Sequence, residues 1–187
     1  TQTTGLPSGS VFPLGTTTNT FVVTDDSGNT ATCSFDVTVV DNVAPTAICQ
    51  SITVQLDALG NVSIGTGDID NGSNDACGIA GLALDITSFD CSNVGANTVV
   101  LTVTDNNGNA STCSATVTVE DNVDPVALCQ SITVQLDALG NASIGTGDID
   151  NGSNDACGIA SLALDVTSFD CSNVGANTVV LTVTDNN

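Results

Sequence analysis

Apolar and polar positions alternate with a period of two through much of the chain. "SITVQL" at 51–56 places Ile52, Val54 and Leu56 on one face. "TVVLTVTD" at 98–105 and "CSATVTVE" at 113–120 alternate likewise, the latter with Cys113, Ala115, Val117 and Val119 together. A period of two is the mark of a half-buried strand. Turn residues separate these runs at Leu59-Gly60-Asn61, Asn71-Gly72, Gly95 and Asn107-Gly108-Asn109. No stretch combines a helical period with capping residues. Six or seven short strands in roughly 80 residues predict an all-β domain, a β-sandwich.

The pattern repeats. The stretch that begins at Cys49 returns from Cys129, an offset of 80, with three changes: Val62 to Ala142, Gly81 to Ser161 and Ile86 to Val166. Residues 1–43 are a diverged copy at the same offset, in which Gly15, Asp25, Gly28, Cys33 and Asp41 align with Gly95, Asp105, Gly108, Cys113 and Asp121. That period is long for a solenoid turn and suits beads on a string. The expected organisation is the second half of one repeat (1–43), a whole repeat (44–123) and most of a third (124–187). The chain opens mid-pattern with "TQTTGLPSGS", which reads as a slice of a longer mature secreted protein.

Charge narrows the partners. The formal net charge is −21, with no Lys, Arg or His, and Glu120 is the one acid that is not Asp. Nucleic acid and anionic membrane surfaces would find no positive patch. No run reaches the ~18 apolar residues of a membrane span. With 41% hydrophobic residues the chain is too apolar for a disordered acidic tail. The acids recur in turns without a base or nucleophile beside them, which argues against an enzyme. Eight cysteines without C-x-x-C pairs or histidines point to disulfides and an oxidising, extracellular compartment.

"PSGSVFPLGTTTNTFVVTDDSGNTATCSFDVTVVDNVAP" at 7–45 resembles the second half of a hyalin repeat (HYR) domain, an immunoglobulin-like module. The 80-residue repeats resemble the Ig-like repeats of very large bacterial surface proteins and adhesins. The resemblance implies a modular, non-enzymatic extracellular or cell-surface protein. Near-identical repeats predict self-association into filaments, or a spacer in a ligand-binding adhesin, with neighbouring repeats as the nearest partners. Five N-x-S/T sequons, at Asn61, Asn71, Asn109, Asn141 and Asn151, are incidental in a bacterial source. Thr and Ser are abundant enough for O-linked sugar, so a surface glycan is a further candidate partner.

An Ig-like strand order would run strand A about 46–56, B about 61–66, C about 78–86, F about 97–104 and G about 111–119. The loops at 67–77 and 105–110 then meet the linker "DNVAP" at 41–45. Asp41, Asp68, Asp70, Asp75 and Asp105 would gather at one junction, and Asp121, Asp148, Asp150, Asp155 and Asp185 at the next. Crowded carboxylates without a cation either raise their pKa values or bind a metal. Calcium suits such oxygen-rich, loosely shaped sites. The alternative is a metal-free polar turn, since Asp, Asn, Gly and Ser are also what turns use. Strands A and G lie side by side and parallel in such sandwiches, so Cys49–Cys113 is the expected bond. Cys77–Cys91 and Cys157–Cys171 are expected alongside it, with Cys33 and Cys129 pairing outside the chain. The rival set joins neighbouring repeats through Cys33–Cys49 and Cys113–Cys129.

Overall fold

The computed structural model describes all residues, Thr1–Asn187. They pack as two compact units. The first comprises Thr1–Ala47, Ser73–Leu82 and Thr102–Ser111, and the second Ile48–Gly72, Ala83–Leu101 and Thr112–Asn187.

The first copy of the repeat forms a three-stranded antiparallel sheet of β1 (Gln2–Thr4), β2 (Gly15–Thr24) and β3 (Thr30–Val39), in that order. β2 and β3 pair from Gly15↔Val39 to Thr24↔Thr30. The hairpin closes because the Asp25 carboxylate accepts from the Ser27 and Asn29 backbone N–H groups and from Asn29 Nδ2. Cross-strand hydroxyl pairs Thr16–Thr38 and Thr20–Ser34, each 3.0 Å apart, and the Phe21–Phe35 stack, 6.1 Å between centroids, line the ladder.

The middle copy contains β4 (Ile52–Gln55), β5 (Asn61–Ser63), a helical turn α1 (Thr66–Ile69), β6 (Ile79–Leu84), β7 (Ser88–Asp90), a 3₁₀ turn (Cys91–Asn93), β8 (Gly95–Asp105) and β9 (Ala110–Glu120). One sheet has the order β4-β9-β8-β6 and a second pairs β5 with β7. β4 runs parallel to β9, Ile52 opposite Val117 and Gln55 opposite Glu120. Parallel pairing of the first and last strands gives this all-β module its Ig-like character. The alternating residues read from the sequence are the buried ones: Val99, Leu101 and Val103 on β8, and Ala115, Val117 and Val119 on β9. Leu56, Ile64, Ile69 and Phe89 are buried as well.

Two local expectations need correction. The strand expected over 46–56 is broken. Only 52–55 joins the sheet, while Thr46 bridges Asn74 and Cys49 bridges Asp70. Gln50 N donates to Ile69 O and Asn71 N to Ile48 O, so the segment changes partners before Ile52. The loop expected over 67–77 begins inside α1, which buries Ile69 completely. Four residues are too few to leave a 3.6-residue period in the sequence.

The third copy repeats these elements as β10 (Asn141–Ser143), α2 (Thr146–Ile149), β11 (Ile159–Leu164), β12 (Ser168–Asp170), a 3₁₀ turn (Cys171–Asn173) and β13 (Leu181–Asp185). β10 pairs with β12, and β11 with β13. Ile144, Ile149 and Leu181 form its core, with Leu162, Leu164, Phe169, Val179 and Val183 packed around them. Val62 faces Phe89 across the β5–β7 pair, and its replacement Ala142 faces Phe169 in the same register.

Two disulfides lock the fold. Cys49 and Cys113 are joined, their Cα atoms 5.8 Å apart. Cys91 is joined to Cys157, Cα atoms 5.1 Å apart, and not to Cys77. The expected Cys77–Cys91 and Cys157–Cys171 bonds are therefore absent, as is the rival pair of bonds between Cys33 and Cys49 and between Cys113 and Cys129. Cys33, Cys77, Cys129 and Cys171 are unbonded. The reason is local. Cys91 opens the 3₁₀ turn that follows β7, so its sulfur lies 3.8 Å from Gly60 O in the turn before the partner strand β5. Cys77 sits in a different turn, where Asn106 Nδ2 donates to its carbonyl at 2.9 Å.

Candidate cation site

In the first unit, the linker after β3 meets two turns of the middle copy. Asn109 Nδ2 donates to Asp41 O at 3.1 Å, and the Ser111 hydroxyl donates to Pro45 O at 2.5 Å. These bonds place Asp41 beside the 73–78 loop. One ligand atom each from Asp41, Asp75 and Cys77 lies within 4.8 Å of the others.

Each carboxylate is half-fixed by its own turn. Asp41 Oδ1 accepts from Val43 N at 3.0 Å, and Asp75 Oδ1 accepts from Cys77 N at 2.7 Å. Asp41 Oδ2 is enclosed and has no hydrogen-bond partner of full geometry. The Cys77 thiol, a weak donor, leans on this carboxylate. That contact, lost hydration and the nearby charges of Asp41, Asp75 and Asp105 push the thiol pKa upward. Cys77 therefore stays protonated, and the hard donors of the group are the carboxylate oxygens.

Asp105 closes the β8–β9 turn. It is 1% exposed and accepts from Asn107 N, Asn109 N and Asn109 Nδ2 at 2.8, 2.8 and 2.7 Å. Burial works against its ionisation, but these hydrogen bonds outweigh it and hold its pKa below the usual carboxylate value. The Asn109 amide is thereby engaged twice, which removes this sequon from the set able to carry a glycan.

The second unit repeats the arrangement with Asp121, Asp155 and Cys157 within 4.8 Å. Asp155 Oδ1 accepts from Cys157 N at 2.7 Å, and Asn186 Nδ2 donates to Cys157 O at 3.0 Å. Asp121 is 9% exposed and accepts from Val123 N and from Asn187 Nδ2. Here the sulfur is in the disulfide with Cys91, so only the two carboxylates remain as donors. Asp185 closes its own turn by accepting from Asn187 N.

The other predicted residues stand elsewhere. Asp68 Oδ2 accepts from Gly65 N at 2.8 Å and Asp148 Oδ2 from Gly145 N at 2.8 Å, each capping a helical turn. Asp70 ends α1 and bridges Cys49, while Asp150 accepts from Ser153 N and bridges Cys129. None of these four is a member of either three-residue group. Sequence reasoning missed the cysteine two positions after Asp75 and the asparagines of the β8–β9 turn. The signal for both lay in "NDAC" and "DNNGN", each placed in a turn of the repeat.

Residues 1–39 match the HYR domain family. The chain is 34% identical over 160 residues to hyalin of Strongylocentrotus purpuratus, an alignment that covers 82% of this chain and 13% of hyalin. The chain thus spans a small part of that relative's length.

Proposed function

We propose that this chain, whose residues 1–39 match the HYR domain and which is similar to hyalin over most of its length, is a structural segment of an extracellular filament or stalk. Its repeats bear load, disulfides lock them, and calcium stiffens the junctions between copies. The family, the strand-rich modules and the two disulfides support an extracellular, adhesion-type, non-catalytic role. A bacterial surface origin is part of the proposal. Its support is the near-identity of the 80-residue copies, which resemble the repeats of large bacterial surface proteins. No helix is long and apolar enough to cross a membrane.

One observation carries the calcium reading: an enclosed Asp41 Oδ2 that receives no N–H or O–H donor, on a carboxylate grouped with Asp75 in a chain without a single cationic side chain. Asp41 and Asp75 would hold the ion, with backbone carbonyls completing an oxygen shell. The ion would offset the local negative charge and tie the linker after β3 to the 73–78 loop. Affinity in the range of extracellular modules, on the order of 10⁻⁴–10⁻³ M, would suffice outside a cell.

Calorimetric titration with calcium chloride tests this reading directly. Heat should saturate in the millimolar range, and chelator should lower Tm by several degrees. Asp41→Asn should remove one binding event while leaving the strand signal in circular dichroism unchanged. No heat and no chelator effect on the wild type would reject calcium. Electron microscopy separates the filament from its alternative, an adhesin spacer: ordered multi-chain fibres favour the first, single strings the second.

A further inference from the structure

We propose that the two disulfides act together as a covalent bypass that carries tension past most of the chain between Cys49 and Cys157. Cys49–Cys113 spans 64 positions and Cys91–Cys157 spans 66, and the two loops overlap because Cys91 precedes Cys113. By the backbone, Cys49 and Cys157 are 108 positions apart. The shortest covalent route crosses the first bond, runs back 22 positions from Cys113 to Cys91, and crosses the second. At ~3.5 Å per extended residue, the bypass stretches to about 80 Å and the backbone to about 380 Å. Pulling on the two ends cannot draw out 49–91 or 113–157 while both bonds hold.

The part that remains on the load path is well placed. Residues 91–113 comprise the 3₁₀ turn, β8, its turn and the start of β9, and β8 and β9 are the two inner strands of the four-stranded sheet. Inner strands are hydrogen-bonded on both sides and yield last.

The third copy is set for the same link. Cys171 lies 3.9 Å from Gly140 O, as Cys91 lies 3.8 Å from Gly60 O. In a tandem array, a following copy would present its equivalent of Cys157 there, 66 positions further on, as in the bond already formed. Cys157 and Cys171 are 14 positions apart. An uninterrupted series would then carry tension on 14 residues of chain in every 80. This gives the load-bearing reading its mechanical basis, yet the covalent route itself depends on no cation.

The test is single-molecule stretching of the 187-residue chain, held by both ends, before and after dithiothreitol. Each bond accepts two electrons and two protons from one dithiol, giving two protein thiols and one cyclic disulfide. Full reduction should release 86 positions of hidden length between Cys49 and Cys157, about 300 Å. Release of only the 64 positions behind Cys49–Cys113, about 220 Å, would overturn the proposal. The oxidised double variant Cys91→Ser, Cys157→Ser keeps the first bond and should be longer than oxidised wild type by 22 positions, about 80 Å. Equal lengths would also overturn it. Chelator, which tests the calcium reading, should leave the fully stretched length unchanged, so failure of one reading is distinguishable from failure of the other.

Discussion

At the residue scale, the carboxylates are more than a field of negative charge. Asp25, Asp90, Asp105, Asp137, Asp150 and Asp170 all have pKa values held below the ordinary 3.8. The cause in each is hydrogen bonds from turn N–H groups or from Ser and Asn side chains, opposed most strongly in Asp105 by burial. A carboxylate with a depressed folded pKa contributes stability above its unfolded value. That contribution is lost as pH falls through the folded value. Stability should therefore be flat near neutrality and fall below about pH 4. Relief of self-repulsion works in the opposite direction, but it acts between exposed charges screened within about 8 Å at physiological salt. Asp105→Asn isolates one such group. The variant should be less stable than wild type at pH 7, and the gap in Tm should close as pH falls below the ordinary carboxylate range. A gap that persists at the acid end would mean that the Asp105 charge contributes nothing.

At the scale of elements, the sequence was most legible where period alone decides the structure. β8 and β9 bury the alternating residues expected of them, and the parallel approach of β4 to β9 brings Cys49 to Cys113. It was least legible in short turns. α1 carries no period, yet Ile69 within it is wholly buried, so Ile69→Ala should cost roughly 2–5 kcal/mol in denaturant unfolding. The Asp68 carboxylate, read as a ligand, caps that same turn, because a carboxylate three residues after Gly65 reaches its free N–H. The Cys91–Cys157 bond was hidden for a different reason. Its halves lie in different copies, and spacing within one copy cannot reveal a partner in the next. The turn before β5 reports on this bond. Gly60 and Gly140 have φ of +74° and +80°, and a Cβ at either would stand 2.6 Å from Cys91 or Cys171 Sγ. Left-handed backbone costs each alanine about 1–2 kcal/mol. Cys171 is unbonded, so its sulfur is free to turn away from an added Cβ, whereas Cys91 is tethered. Gly60→Ala should therefore destabilise more than Gly140→Ala in oxidised protein. The difference should vanish after reduction; a difference unaffected by reductant would assign it to packing alone.

At the scale of the whole chain, the two copy-to-copy connections are chemically unequal. The later one is bonded through Cys91 and Cys157. The earlier one has Cys77 at the place of Cys157, but Val11 stands where Cys91 would be, at the same offset of 80. Cys77 is left as a thiol with a raised pKa, and it should react slowly with iodoacetamide at mildly alkaline pH, because the thiolate is the nucleophile. The repeat logic makes a sharper prediction. Val11 and Cys77 belong to the same compact unit and are separated by 66 positions, the span of the existing bond. Val11 is 91% exposed, so replacing it removes no core contact. Val11→Cys should thus form a bond to Cys77 under oxidising conditions. Mass spectrometry without reduction would detect it as one cross-linked peptide that joins position 11 to Cys77. A loop of that length should add about 2–4 kcal/mol. In stretching, it should hide further chain ahead of Cys49, extending the bypass across the first connection. If the introduced thiol and Cys77 both remain alkylatable after air oxidation, then the diverged first copy does not present position 11 as the later copies present Cys91. The covalent ladder would then belong only to copies that carry both halves of the pair.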